Sequence, residues 1–262
     1  MSQNLRAAAV QMHITLGQID ANLARVRKGL EAVAAAGACL AVLPEMWSSG
    51  YAYRQLPQLA HQTPQVIASL CEITARLGLV VVGSLPEIEA EKIYNTAYVV
   101  DQGALVGKYR KLHLFSTMQE DRFLAAGDQA LTLATSAGRL GIAICYDLRF
   151  PELFRKLALE GAEVICLPAE WPKPRQEHWN ALIRARAIEN QLFVIAANCC
   201  GIQGKLDFFG HSQLVSPLGH LLAYAEAEET ELVADLDFSE MVQYRKQIDT
   251  LGDRRPDIYG TP

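Results

Sequence analysis

The sequence predicts an α/β protein in which helices cover mixed β-sheets. Short apolar runs, typical of buried strands, alternate along the chain with amphipathic stretches typical of helices. Two segments also resemble hairpins, which a sheet built only from strand–helix–strand units would not contain. Residues 94–110 turn at Gln102-Gly103, and residues 211–224 turn at Pro217-Leu218-Gly219. We therefore expect sheets with both parallel and antiparallel pairs.

Nine apolar runs predict the strands. They are short and rich in Val, Ile, Leu and Ala, and most are bounded by Gly, Pro or charged residues. In chain order they cover residues 5–12, 39–44, 79–86, 95–101, 141–147, 162–170, 192–200, 211–217 and 230–237.

Four segments predict helices. Glycine after a helix supplies the left-handed conformation of a C-cap, and proline fits the first helical turn. With these signals the helices span residues 20–36, 64–77, 151–160 and 176–191. In the last of them Trp179, Leu182, Ile183 and Ala187 fall on one face, which we expect to be buried.

The chain is predicted to form a single domain over residues 1–262. Half of its residues are hydrophobic, enough for a sizeable core, and no repeat or Pro/Gly/Ser-rich linker divides it. The segment from about 250 to 262 is predicted to be an irregular arm that crosses to a partner subunit. A net charge of -5, with opposite charges interspersed, argues against nucleic-acid binding.

Composition also predicts the compartment and excludes several kinds of site. No window is long and apolar enough to span a bilayer, and the N-terminus lacks the pattern of a signal peptide. The six cysteines include no CxxC pair, so we expect reduced thiols in a cytoplasmic protein without membrane contact. No His/Cys/Asp cluster has ligand spacing, and no metal site is predicted.

Three reactive side chains stand at predicted strand ends. Glu45 follows the run CLAVLP, Lys111 follows the hairpin, and Cys145 ends the run GIAIC. Each alone has an ordinary alternative: a turn acid, a solvated surface charge and a small core residue. Together they suit nucleophilic catalysis, because a thiol with a pKa of about 8.5 needs a base and a nearby cation. The backbone N–H of Tyr146 is the natural donor for an oxyanion formed at Cys145.

The motifs LPE at Glu45, YRKLHLF at Lys111 and ICYDLRFPE at Cys145 resemble the Glu–Lys–Cys motifs of the nitrilase superfamily, the carbon–nitrogen hydrolases. The resemblance covers nearly the whole chain. It implies a four-layer α-β-β-α sandwich, a homodimer or larger homo-oligomer, and cleavage of a non-peptide C–N bond through a cysteine thioester without a cofactor. It also implies a second glutamate after the lysine, for which Glu120 is the best positional match. The alternative for Glu120 is an exposed helix acid.

The segment from Leu167 to Gly201 resembles the omega-amidases, which hydrolyse terminal amides such as those of 2-oxoglutaramate and succinamate. Tyr51, Arg149, Glu170 and Trp171 are the candidate substrate-binding residues. Glu170 departs from the small polar residue expected before Trp-Pro. A carboxylate there would repel an anionic substrate unless it is paired, and Arg149, Lys173 or Arg175 could supply the compensating charge. Solvent-facing loop positions are the alternative for these cations.

Other readings remain open at this point. The same superfamily includes hydrolases of N-carbamoyl-amines, deaminated glutathione and nitriles. A papain-like enzyme would pair Cys145 with a histidine, for which His113, His178 and His211 are available. A non-catalytic binding protein on the same fold is a different class, although no member of the triad is missing.

Overall fold

A computed structural model describes residues 4–260 of the chain. Its strands agree closely with the nine apolar runs of the sequence, and five further strands are present, two of which form a separate ribbon. In chain order the strands are β1 (Asn4–Gln11), β2 (Leu40–Val42), β3 (Val80–Glu89), β4 (Lys92–Asp101), β5 (Ala104–Arg110), β6 (Leu131–Thr135), β7 (Gly138–Ile142), β8 (Val164–Ala169), β9 (Phe193–Asn198), β10 (Cys200–Gln203), β11 (Leu206–Phe209), β12 (Gln213–Val215), β13 (Leu221–Tyr224) and β14 (Thr230–Asp237).

The helices follow the predicted segments within one or two residues, and four short or polar ones were not predicted. In chain order they are α1 (Ile19–Ala35), α2 (Leu56–Ala60), α3 (Thr63–Leu77), α4 (Glu120–Phe123), α5 (Pro151–Leu159), α6 (Gln176–Asn190), α7 (Phe238–Gln247) and α8 (Pro256–Tyr259). Gly78 ends α3 at φ 67°, the left-handed conformation that a residue with a side chain adopts less readily.

Two six-stranded sheets form the centre of the molecule. The first has the order β14-β1-β2-β3-β4-β5 and the second the order β13-β12-β9-β8-β7-β6. In each, two adjacent parallel pairs lie between antiparallel strands, as the hairpins in the sequence predicted. The strands β10 and β11 form a separate antiparallel ribbon.

The sheets pack face to face, and helices cover their outer sides. Ala7 and Ala9 of β1 lie in the core between the sheets, whereas Ala8 and Val10 lie in the core that α1 and α3 cover. Successive side chains of a strand point to opposite faces, so β1 is buried on both. With α5 and α6 packed on the second sheet, the architecture is the four-layer α-β-β-α sandwich that the resemblance implied.

One predicted boundary near the reactive cysteine was wrong. The strand β7 ends at Ile142, three residues before Cys145. Ala143 still donates its backbone N–H to the Cys166 carbonyl of β8 at 3.2 Å, but the Ile144 N–H donates to Asp147 instead. Cys145 begins a short 3-10 helix that extends to Arg149. The apolar run therefore marks buried chain, of which only the first part is hydrogen-bonded as a strand.

The predicted C-terminal arm is only partly irregular. It contains α8, whose Ile258 and Tyr259 are exposed. Residues 261 and 262 lie outside the described part of the chain. No helix among residues 4–260 is long and apolar enough to cross a membrane.

Candidate active site

The structure brings four of the predicted side chains together. Glu45 follows β2, Lys111 follows β5, Cys145 follows β7, and Glu120 is the first residue of α4. Glu45 and Lys111 are fully buried, and Glu120 and Cys145 are 2% and 7% exposed. The stacked sheets bring these chain segments, distant in sequence, to one place. The alternatives of a solvated lysine and an exposed helix acid do not describe these residues.

The carboxylate of Glu45 is held by donors on both oxygens. Its Oε1 accepts from Lys111 Nζ at 2.7 Å and from Asn95 Nδ2 at 2.7 Å, and the Tyr51 hydroxyl lies 2.7 Å away. Its Oε2 accepts from the backbone N–H of Glu170 at 2.8 Å. Donors arranged in this way fix the orientation of the carboxylate.

The ammonium of Lys111 lies between two carboxylates. Its Nζ is 2.7 Å from Glu45 Oε1 and 2.8 Å from Glu120 Oε1. Burial by itself lowers the pKa of Lys111, but the charges of Glu120 and then Glu45 outweigh it, and the pKa is raised well above its ordinary value. Lys111 is therefore a permanent cation at the centre of the cluster.

Glu120 reaches the cluster from a turn that it helps to fix. Its Oε2 accepts from the backbone N–H of Phe115 at 3.2 Å, and its Oε1 lies 3.0 Å from the Tyr51 hydroxyl. Burial raises the pKa of Glu120, an effect that the charge of Lys111 opposes and that of Glu45 reinforces. The carboxyls of Glu45 and Glu120 therefore share the one ammonium of Lys111.

Cys145 occupies a strained position at the start of its 3-10 helix. Its φ is 44°, in the left-handed region that non-glycine residues seldom adopt. Burial raises the pKa of the Cys145 thiol, the nearby charge of Glu45 raises it further, and Lys111 lowers it without compensating. The thiol is therefore neutral at rest, with the Glu45 carboxyl among the groups that surround it.

The turn that carries Cys145 is braced by Asp147, which is fully buried. Its Oδ2 accepts from the backbone N–H of Ile144 and from the Tyr109 hydroxyl, each at 2.8 Å. Its Oδ1 accepts from the backbone N–H of His113 at 3.1 Å and lies 2.7 Å from His113 Nδ1. Asp147 thus joins the turn after β7 to the loop after β5, which carries Lys111.

The three candidate histidines form their contacts with residues other than Cys145. His113 contacts Asp147 and stacks on Phe150 with ring centroids 3.6 Å apart. His178 Nδ1 lies 3.2 Å from an Arg149 guanidinium nitrogen, and His211 hydrogen-bonds to Tyr224. The contacts of these three residues favour Glu45 over a histidine as the partner of Cys145.

A narrow cleft opens at Cys145. Tyr146, Arg149, Glu170 and Trp171 line it, and Arg175 lies across its rim. Tyr146 is the second residue of the 3-10 helix, and the first N–H groups of a helix have no intrahelical acceptor. This backbone N–H is thus available beside the thiol.

Two of the three candidate cations line the cleft. The Arg149 guanidinium lies 4.8 Å from the centre of the Trp171 ring, and that of Arg175 lies 5.2 Å from the centre of the Phe115 ring. Neither forms an ion pair with a carboxylate in the part of the chain that the structure describes. Lys173 instead pairs with Asp207 at 2.8 Å on the surface, the ordinary position for a loop cation.

The remaining substrate-binding candidates differ in position. Trp171 is fixed by Asn198, which accepts from its backbone N–H at 2.7 Å, and its indole N–H donates to the Arg175 carbonyl. Glu170 faces the cleft, with neither carboxylate oxygen in a hydrogen bond. Tyr51 directs its hydroxyl into the Glu45 cluster, and its ring lines an adjoining groove that Glu170 also borders.

Asn95 is a residue of the cluster that sequence reasoning missed. Its Nδ2 donates to Glu45 and its backbone carbonyl accepts from the Lys111 N–H at 2.9 Å. An asparagine within an otherwise apolar strand was the available signal. Within residues 4–260 no group of three or more His, Cys, Asp or Glu side chains is arranged to hold a metal ion, and all six cysteines are unpaired.

Comparison with known proteins agrees with this geometry. The carbon–nitrogen hydrolase family model matches residues 6–246. The 2-oxoglutaramate amidase of Bacillus subtilis is 37% identical over 96% of this chain and 98% of its own length. The chloroplastic omega-amidase of Arabidopsis thaliana is 36% identical over 91% of this chain and 69% of its own.

Solved structures show the same fold. A Saccharomyces cerevisiae member of the nitrilase superfamily superimposes with a TM-score of 0.88 at 30% identity, covering 95% of both chains. An amidase from Nesterenkonia sp. gives a TM-score of 0.88 at 30% identity, over 97% of this chain and 95% of its own. The chain belongs to the carbon–nitrogen hydrolase family, in the omega-amidase-like branch of the nitrilase superfamily, and is a hydrolase of non-peptide C–N bonds.

Proposed function

We propose that this chain hydrolyses the terminal amide of a small dicarboxylic acid monoamide, of which 2-oxoglutaramate and succinamate are examples, with Cys145 as the nucleophile. The observation that carries the proposal is the buried ion pair of Glu45 and Lys111 beside Cys145, which lines the cleft. A base, a cation and a thiol brought together are the groups that acyl transfer through a thioester requires.

The acylation step follows from the raised pKa of Cys145. Because the thiol is neutral at rest, Glu45 takes its proton as the sulfur attacks the amide carbon. The C–S bond forms while the carbonyl electrons move to oxygen, and Lys111 with the Tyr146 N–H stabilises the oxyanion. The oxyanion then collapses, the C–N bond breaks, and Glu45 returns the proton to the departing nitrogen, so that ammonia leaves and a thioester remains.

Deacylation uses the same groups in the opposite order. Glu45, ionised again, takes a proton from a water molecule that attacks the thioester carbon. The tetrahedral intermediate collapses with loss of the thiolate, which recovers the proton from Glu45, and the carboxylic acid product is released. Glu120 acts as a positioning residue throughout, since it shares the Lys111 ammonium and holds it toward Glu45.

The cleft supports an anionic acyl group. Arg149 and Arg175 line it without carboxylate partners among the described residues, and guanidinium groups suit bidentate capture of a carboxylate. Trp171 provides a flat wall beneath Arg149. The names of the relatives, 2-oxoglutaramate amidase and omega-amidase, point in the same direction.

The test is release of ammonia from a panel that contains succinamate, 2-oxoglutaramate, an N-carbamoyl-amine and an aliphatic nitrile. We expect turnover of the two anionic amides and at least about 10³-fold less in Cys145→Ala. Cys166→Ala, at a buried cysteine of β8 outside the cleft, is the matched control and should retain turnover. Equal activity of Cys145→Ala would refute the mechanism, and preference for the carbamoyl-amine or nitrile would redirect the substrate class.

We further propose that residues 1–262 form one domain that assembles as a homodimer or larger homo-oligomer. The exposed apolar side chains of α8, Ile258 and Tyr259, support an arm that reaches a partner subunit. Light scattering of the full chain against a chain ending at residue 249 tests the arm: loss of the oligomer is expected, and an unchanged mass would contradict it.

The unpaired thiols support a reducing, cytoplasmic compartment for this protein.

A further inference from the structure

One buried carboxyl in the cleft has no role in the chemistry described above. The Glu170 side chain lies in the cleft beside Cys145 and is 1% exposed, yet neither of its oxygens has a hydrogen-bond partner. Its backbone N–H donates to Glu45, which fixes the residue in place. A buried polar group without a partner is costly, so its retention calls for a ligand or a functional reason.

The surroundings of Glu170 disfavour a negative charge. Burial raises its pKa well above the ordinary value, and the charge of Glu45 raises it further. Lys111 opposes this effect, but its ammonium already lies within 2.8 Å of two other carboxylates. The titratable and charged groups that face Glu170 from the elements packed around it are Glu45, Lys111, Glu120, Cys145, Cys199, Tyr51, Tyr53, Tyr146, Arg149, Arg175 and Lys205.

We propose that Glu170 is a specificity-determining residue that stays a neutral carboxylic acid at neutral pH and donates a hydrogen bond to an oxygen of the bound substrate. A neutral acid has one O–H donor. The Gln203 side chain lies near the carboxyl and lowers its pKa, but it forms no hydrogen bond of good geometry with either Glu170 oxygen. An ionised Glu170 would instead repel a carboxylate drawn in by Arg149 and Arg175. The proposal rests on the proposed function, because it concerns how an anionic amide is accepted by the same cleft.

The protonation state is measured without any substrate. The infrared difference spectrum between the wild type and Glu170→Gln at pH 7 should contain the C=O stretching band of a protonated carboxylic acid, lost in the variant. The control is Glu72→Gln, at an exposed glutamate of α3, which should lose carboxylate intensity only. A difference spectrum showing only a lost carboxylate in Glu170→Gln would mean that Glu170 is ionised, and the proposal would be wrong.

Selectivity is measured as the ratio of kcat/KM for succinamate to kcat/KM for its uncharged methyl ester, by ammonia release. Effects on Cys145 or Glu45 reach both amides and cancel in this ratio. At pH 7 the wild type, Glu72→Gln and Glu170→Gln should give the same ratio, because the glutamine amide is an uncharged donor like a neutral carboxylic acid. If Glu170 were ionised it would repel the anion, and its replacement by glutamine would raise the ratio about tenfold. Glu170→Met has no donor and should lower kcat/KM for succinamate about tenfold.

The outcomes separate the two proposals. A ratio raised about tenfold in Glu170→Gln, or an unchanged kcat/KM for succinamate in Glu170→Met, would overturn the role of Glu170 while leaving the amidase activity in place. No ammonia from either compound would instead refute the proposed substrate class, and the infrared measurement would still decide whether Glu170 is neutral.

Discussion

Substitution of Asp147 by asparagine tests whether the turn that carries Cys145 depends on a charged brace. The aspartate accepts four hydrogen bonds, two on each oxygen, from Ile144, Tyr109 and His113. An asparagine of the same shape offers one acceptor oxygen and one NH₂ donor, so it satisfies only one of the two pairs.

The expected loss of stability depends on which of the two pairs of hydrogen bonds is lost. The less costly orientation keeps the oxygen on the Ile144 N–H and the Tyr109 hydroxyl, which are buried, and turns the NH₂ toward His113. The His113 ring can accept in its other tautomer, but its backbone N–H loses its acceptor. The loss of one charge-assisted hydrogen bond and the weakening of the others should lower the unfolding free energy by about 2–3 kcal/mol. In a chain of this length that lowers Tm by roughly 5–10 °C.

The measurement is thermal unfolding at pH 7 together with ammonia release. A shift of the strained turn should also displace the thiol from Glu45, with kcat reduced about 10–100-fold because attack geometry is sensitive to small displacements. Asp128→Asn, at an exposed aspartate without a hydrogen bond in the described structure, is the matched control and should behave as the wild type. A Tm change below about 1 °C in Asp147→Asn, with kcat unchanged, would refute the reasoning.

Two further substitutions test the electrostatics. Tyr51→Phe removes the hydroxyl that lies against both Glu45 and Glu120, and we expect kcat/KM to fall about tenfold, the equivalent of one lost hydrogen bond to a charged group; equal kinetics would contradict that role. For Glu87, burial by itself would raise the pKa, but hydrogen bonds led by those from Arg110 lower it to about 2. Because the pKa of Glu87 is lower in the folded state, its ionised carboxylate stabilises the fold above the unfolded pKa of 4.5. This stabilisation is lost as the pH falls toward 2. Glu87→Gln should therefore reduce the unfolding free energy by about 3 kcal/mol at pH 7, with the difference narrowing below pH 4.5. A difference independent of pH in denaturant titrations would show that the stabilisation does not come from ionised Glu87.

Much of the fold could be predicted because buried strands and helices leave a pattern of apolar residues in the sequence. The runs that became β1, β3 and β14 were recognised from apolar composition, and glycine marked the end of α3 at Gly78. The strands β6 and β11 were missed because they are short and only partly buried, so their sequences lack the apolar pattern of a buried strand. At Cys145 the same pattern misled, since Ile144 and Cys145 are buried although they lie beyond the end of β7.

The sequence predicted which residues form the site better than it predicted their ionisation. Glu45, Lys111 and Cys145 were expected together because each follows a predicted strand, and the structure brings them together. Asn95 escaped notice because nothing in one sequence distinguishes a buried asparagine that orients a carboxylate from one that ends a strand. Lys173 was grouped with Arg149, yet only the arginine lines the cleft.

By itself the sequence determined the α/β class, the alternation of helices and strands, and a thiol, a base and a cation in motifs that identify the family. Only the tertiary structure decided that one ammonium is shared by two carboxylates, that the resting thiol is neutral, and that Glu170 lies in the cleft without a partner. The physical reason is that local periodicity reports which faces are buried, whereas ionisation depends on distances and burial among groups far apart in the chain.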